Sequence, residues 1–232
     1  MLWQLGTLRD DPRLFMLYLA ALVVSLLIGI SFHEFSHAFV ADALGDPTPR
    51  NQGRVTLNPA RHFDPMGTVM MVLGGFGWGR PVMFNPYKLR INPSAGIVLT
   101  KLAGPASNFL VAAALGAPLR ARIVPFEDPA FLSSWSAENY LAFFLFYIVV
   151  LNITLGVFNL LPFPPLDGGG IAVILPGPVG DFFRKMEQGG WSIGILFLLL
   201  FLPRLTGGAI DPVGGIINPI RIRLLELFLA GR

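Results

Sequence analysis

The 232-residue chain contains no cysteine. That excludes disulfides, thiol catalysis and cysteine-ligated metal sites, and it leaves the redox compartment open. Charge is scarce as well: 13% of residues are charged and 53% are apolar, a balance far from that of soluble domains. No repeat of fixed period and no low-complexity tract interrupts the chain. Only three histidines occur, and the formal net charge of +3 is small. No nucleic-acid partner is expected from such a chain.

What is present in quantity is apolar sequence without charges, as in residues 15–30 and 140–151. These runs identify a polytopic, all-α membrane protein whose first partner is the lipid bilayer. The length allows one intramembrane domain over residues 1–232, with a core at about 14–175 and a C-terminal span and amphipathic helix at about 190–230. No soluble domain fits between the spans.

The pattern predicts a short amphipathic lead-in over residues 2–13, not a cleavable signal peptide because no small-residue cleavage site follows the apolar run. The expected first span, residues 14–44, measures roughly 46 Å at ~1.5 Å per residue and so overshoots a ~30 Å hydrocarbon layer. Gly45, Asp46 and Pro47 should stop it. Residues 66–76 are apolar but too few to cross, which suggests a re-entrant or interfacial segment. Further spans are expected at 94–119 and 137–161, and a weaker one at 191–202 ending at Pro203. Residues 212–229 look like an amphipathic surface helix.

Basic residues orient the chain. Arg50, Arg54, Arg61, Arg80, Lys88 and Arg90 lie between the first two spans against only Asp46 and Asp64, so that loop should be cytoplasmic. Arg120 and Arg122, offset by Glu127 and Asp128, suit the opposite face, and Arg184 and Lys185 return to the inside.

Two of the histidines fall inside the first span. His33 and His37 are four residues apart, differ by ~40° in azimuth on a helix and can grip one ion, with Glu34 beside them. Zinc accepts neutral imidazole, and in catalytic sites it keeps one position open. Glu34 is suited to take a proton from water attacking a carbonyl, so H-E-x-x-H reads as a metallopeptidase pattern. The other readings are buried polar glue between helices and a transit site in a metal-ion or proton transporter. His62, in the basic loop, is expected at the surface.

A hydrolytic zinc site usually needs a third protein ligand. Asp42, five residues from His37, points ~140° away and is a poor candidate. Asp167 in "FNLLPFPPLDGGG" (158–170) is better. Pro162, Pro164 and Pro165 must unwind the helix there, and irregular backbone at membrane depth is tolerated where it lines a cavity.

Together, "HEFSHAFVADALGD" (33–46) and "NLLPFPPLDGG" (159–169) resemble the site-2 protease family of intramembrane zinc metalloproteases. "AGPASNFL" (103–110) resembles the family's G-P-x-x-N element, and "GFGWGRPVMFNP" (75–86) its membrane-embedded β-hairpin. The likeness covers most of residues 14–175.

The resemblance implies a three-helix catalytic core, with one or two added spans or surface helices and a small membrane-embedded β-hairpin. It also implies Zn2+ as cofactor, with His33, His37 and Asp167 as ligands and Glu34 as general base. The substrate would be a transmembrane protein, cleaved in or near its membrane-spanning helix at a site opening toward the cytoplasm of the cell membrane. A helical substrate must unwind, and an exposed strand edge could hold it. Residues 75–85, with Gly75, Trp78, Arg80, Pro81 and Val82, would supply that edge as a hairpin; a plain interfacial loop is the other reading. Asn108 either makes an interhelical hydrogen bond or binds substrate, and the resemblance leans toward substrate. The chain is expected to lack the appended peptide-binding or nucleotide-sensing domains and the extra N-terminal span of some relatives.

Overall fold

The computed structural model describes residues 12–74, 77–126 and 135–229. Most of the expected lead-in at 2–13, and Gly75, lie outside these residues. Among the described residues, three helices are long and apolar enough to cross a membrane: α1 (Pro12–Ala43), α3 (Pro93–Arg120) and α4 (Ala137–Asn159). Each packs against the other two, forming the expected three-helix core.

Local chemistry sets their ends. Gly45, at φ 114, closes α1 with its N–H on the Asp42 carbonyl while Asp46 N–H reaches the Ala41 carbonyl. This paired closure favours glycine at the left-handed position. At the start of α3, the Asn92 side chain accepts from Ser94 and Ala95 N–H, and Pro93 fills a position whose N–H would be unpaired anyway. A reciprocal Ser136–Asn139 capping box starts α4, an arrangement worth about 1 kcal/mol. Small residues then allow close approach, since a Cβ on Gly29 would lie 2.9 Å from the Asn152 amide oxygen.

Between α1 and α3 the chain folds back on itself. Helix α2 (Pro65–Gly74) has ten residues, too few to cross, and Asp64 caps it by accepting from Gly67 N–H. The return segment passes so close that a Cβ on Gly67 would sit 2.1 Å from the Trp78 carbonyl oxygen. Asp46 fastens its far end: Oδ1 accepts from Thr48, and Oδ2 accepts from Asn85 N–H at 2.6 Å. Burial would raise the Asp46 carboxyl, but these hydrogen bonds and the Lys88 charge hold it below the usual carboxylate range.

Here the expected β-hairpin gives way. Among the described residues there is no strand, and residues 77–85 make one isolated antiparallel bridge, Phe63 with Gly79, supported by Arg80 N–H to the His62 carbonyl at 2.6 Å. Pro81 cannot donate to a ladder, and glycines at 77 and 79 weaken the strand preference, so pairing does not propagate. His62 also departs from expectation. Its side chain is wholly buried, with Nε2 donating to the Thr56 carbonyl at 2.6 Å, and burial foremost lowers its pKa.

Beyond α4, residues 160–166 unwind as the prolines require, and a short helix α5 (Asp167–Ala172) follows. Arg184 and Lys185, the basic pair after the third span, lie on α6 (Gly177–Gln188). Helix α7 (Ser192–Leu205) meets α6 at a 92° bend, so this pair is a broken span or re-entrant unit rather than a straight fourth span. Pro203 does not end α7, which continues to Leu205. In the last turn little is lost beyond one hydrogen bond, and Thr206 N–H bonds the Leu202 carbonyl. Helix α8 (Pro212–Leu229) presses Ile217, Leu224 and Phe228 onto Ala112, Val149 and Ile153 of the core, while Arg223 and Glu226 pair on its exposed face.

Candidate active site

His33 and His37 stand on α1 with ring centroids 4.6 Å apart and planes at 87°. Room for them comes from α3, because a Cβ on Gly104 would lie 2.4 Å from His37 Nε2 and 2.7 Å from His33 Cε1. Asp167 arrives from the unwound end of α4. A Cβ on Gly168 would meet the Leu160 carbonyl oxygen at 2.2 Å, and one on Gly169 would meet Pro164 N at 2.2 Å. The L-D-G-G sequence therefore lets the first turn of α5 nest against the broken helix end and point its carboxylate inward.

The three side chains converge. His33 Nε2 lies 3.0 Å from His37 Nε2, and Asp167 Oδ2 lies 3.0 Å from the first and 3.1 Å from the second. All three residues are buried.

Protons can be assigned from backbone carbonyls, which only accept. His37 Nδ1 faces the Thr100 carbonyl at 2.6 Å and must donate to it. Asn152 Nδ2 donates to the Ile148 carbonyl, leaving its Oδ1 to accept from Asn108 Nδ2, which also donates to the Gly29 carbonyl. Asn108 Oδ1 then faces His33 Nδ1 at 2.8 Å, so that nitrogen is a donor too. With the rings neutral, as a metal ligand requires, both turn Nε2 lone pairs toward each other and toward a carboxylate oxygen. Three acceptors at this separation repel unless a cation lies among them.

Zinc ligands at ~2.0–2.1 Å in a tetrahedron stand ~3.3–3.4 Å apart, and the observed triangle is slightly tighter. The donor set thus fits a metal ion, and these residues form a group able to hold one.

Glu34 is buried on the same helix. Its Oε1 approaches Gly79, where a Cβ would lie 3.1 Å away, and its Oε2 is 3.7 Å from a guanidinium nitrogen of Arg54. Arg54 is only 5% exposed and also donates to the Arg61 and Arg80 carbonyls. The guanidinium thereby stitches the basic loop and the return segment over the site. Burial foremost lowers the Arg54 pKa, with Glu34 acting in the opposite sense.

A cavity of about 740 Å3 joins the site to the space between α1, α4 and α7. His33, Glu34, His37 and Asp167 line it, as do Trp78, Pro81 and Val82. Arg80 contributes backbone to the neighbourhood, while its side chain is exposed. Asn108 is wholly buried, and its amide is committed to His33, Gly29 and Asn152.

Several residues at the site carry no sequence motif of their own. Lys101 Nζ lies 3.2 Å from Asp167 Oδ1, and Arg54, Asn152 and the Thr100 carbonyl support the other groups. Lys101 and Asn152 could have been noticed as polar residues inside apolar helices, which usually mark a function. Arg54 gave no signal beyond loop charge.

Comparison with known proteins shows the family. The family described as Peptidase family M50 matches residues 123–201. The candidate zinc metalloprotease YwhC of Bacillus subtilis (strain 168) is 36% identical over 215 residues, 90% of this chain and 91% of that protein. The candidate zinc metalloproteases Rip2 of Mycolicibacterium smegmatis (strain ATCC 700084 / mc(2)155) and Mycobacterium tuberculosis (strain ATCC 25618 / H37Rv) are 35% and 33% identical. Those matches cover 79% and 80% of this chain and 68% of each relative. No solved structure matches.

Proposed function

We propose, from the premise that this chain belongs to peptidase family M50, the site-2 protease family, that it hydrolyses a peptide bond in or near a transmembrane helix of a membrane-protein substrate. It is a zinc metalloprotease with apolar membrane helices. The observation that carries the proposal is the convergence of two imidazole Nε2 atoms and one carboxylate oxygen within 3.1 Å, with Glu34 on the same helix lining the same cavity.

His33, His37 and Asp167 would hold zinc, which when bound supplies Lewis acidity toward a carbonyl oxygen and acidifies water. Glu34 takes the proton from the attacking water and delivers it to the departing amine. Asn108 and the Thr100 carbonyl fix both rings in the tautomer that presents Nε2. The cavity takes the unwound stretch of substrate, and Trp78, Pro81 and Val82 line its path. These residues need no β-hairpin for that, because an extended backbone beside the site can still pair with a peptide. We place the protein in the cell membrane with the site opening toward the cytoplasm, on the strength of the basic residues between α1 and α3.

The test is Glu34→Gln in proteoliposomes carrying a tethered transmembrane substrate. Zinc content should equal wild type while cleavage falls by about 10²–10⁴-fold, the usual contribution of a general base. Cleavage at the wild-type rate would remove the proposal. A variant that transports zinc or protons without cleaving would point to a transit site.

A further inference from the structure

The two oxygens of Asp167 have different neighbours. Oδ2 stands 3.0 and 3.1 Å from the imidazole nitrogens, while Oδ1 lies 3.2 Å from Lys101 Nζ. Lys101 is on α3, inside a stretch apolar enough to cross the membrane, where a cation is expensive and calls for a partner. Its path to Asp167 runs along Gly170, where a Cβ would lie 3.0 Å from Lys101 Cε. The side chain is 29% exposed and lines the cavity, so the ammonium reaches the carboxylate from the cavity side.

We infer that Lys101 is a positioning residue that holds Asp167 as a one-oxygen ligand, by engaging Oδ1, and so keeps a coordination position free for the reacting groups. The inference rests on His33, His37 and Asp167 holding the metal. A carboxylate left to itself can ligate through both oxygens, which would fill a position that catalytic zinc sites keep open. Through its charge alone Lys101 opposes a divalent ion held by the same carboxylate. Its contribution is therefore geometric, and this separates it from a residue that merely supports the fold. Loss of a supporting residue loosens a metal, whereas loss of Lys101 removes a repelling charge and frees a second oxygen.

The experiment uses full-length protein in detergent, stripped of metal and titrated with Co2+ alone, with visible absorption and chelator competition read together. Co2+ reports coordination number through its d–d bands, which are intense for four ligands and weak for five. Wild type and Lys101→Arg should give the intense spectrum. Lys101→Met should give the weak one and hold Co2+ about tenfold more tightly or more, the direction set by relief of Coulomb repulsion at an effective dielectric of ~20.

Lys101→Gln keeps a donor for Oδ1 without the charge. Should the methionine variant not fold, the glutamine variant decides: an intense spectrum with tightened binding supports the role, and a weak spectrum overturns it. An unchanged spectrum or weakened binding in folded Lys101→Met also overturns it. Wild type that takes up no Co2+ would instead remove the metal assignment itself, and the inference with it.

Discussion

The Oδ1 of Asn108 lies 2.8 Å from Nδ1 of His33, joining the middle of α3 to α1. The same amide donates to the Gly29 carbonyl and to Asn152, so one side chain ties α1, α3 and α4 together at the depth of the site. A polar cluster of this kind serves as a ring clamp and as a core contact at once, and the two roles can be separated.

Asn108→Ala should weaken zinc affinity by about 10–100-fold, the usual effect of losing a partner behind a metal ligand. It should also cost about 1–3 kcal/mol of stability through the abandoned Gly29 and Asn152 acceptors. Asn108→Asp keeps an acceptor for His33 but no donor. Chelator competition should place its zinc affinity nearer wild type, while thermal unfolding shows no recovery. Equal affinities for the alanine variant and wild type would leave Asn108 without a part in holding the ring.

Gly104→Ala tests the space beneath the imidazoles. In a free helix this change favours the fold by up to ~1 kcal/mol. Here the new methyl would stand 2.4 Å from His37 Nε2, so the rings must move. Helicity by circular dichroism should be kept and bound zinc lost. A variant that keeps full zinc would contradict the packing described.

The pH dependence of stability should carry a contribution from His62. Its folded pKa is lowered, burial being the chief cause, relative to an unfolded value of ~6.5. The neutral form is therefore the one the fold prefers. The stability it contributes is whole above ~6.5 and is lost as pH falls through the lowered folded value. Metal-free protein should lose thermal stability on going from pH 7 to 5 more steeply than metal-free His62→Gln. Parallel curves for the two would show that His62 titrates as an exposed residue does.

Much of this architecture was legible in the sequence because the bilayer imposes simple demands. Span lengths, the stop at Gly45, the break after α4 and the shared face of His33 and His37 all follow from period, proline chemistry and hydropathy. Asp167 could be picked out because a carboxylate among prolines and glycines at membrane depth has few uses. What escaped was set by how irregular loops close on themselves and on the return segment, which no periodic pattern records. His62 and Arg54 sit in a basic loop that reads as surface, yet each is buried through bonds to carbonyls contributed by Thr56, Arg61 and Arg80. The hairpin expected at 75–85 shows one bridge among the described residues 77–85, where Pro81 and the neighbouring glycines limit the ladder. Helix α6 and its 92° bend into α7 were not read from the sequence, because α6 is too polar and too short to register as a span.

The most direct test is the zinc content of purified wild type beside Asp167→Ala, both folded and washed free of loose metal. The side chains that converge in this structure predict about one zinc per wild-type chain, as for a site with three protein ligands, and near-complete loss in the variant. Undiminished zinc in Asp167→Ala would contradict the account.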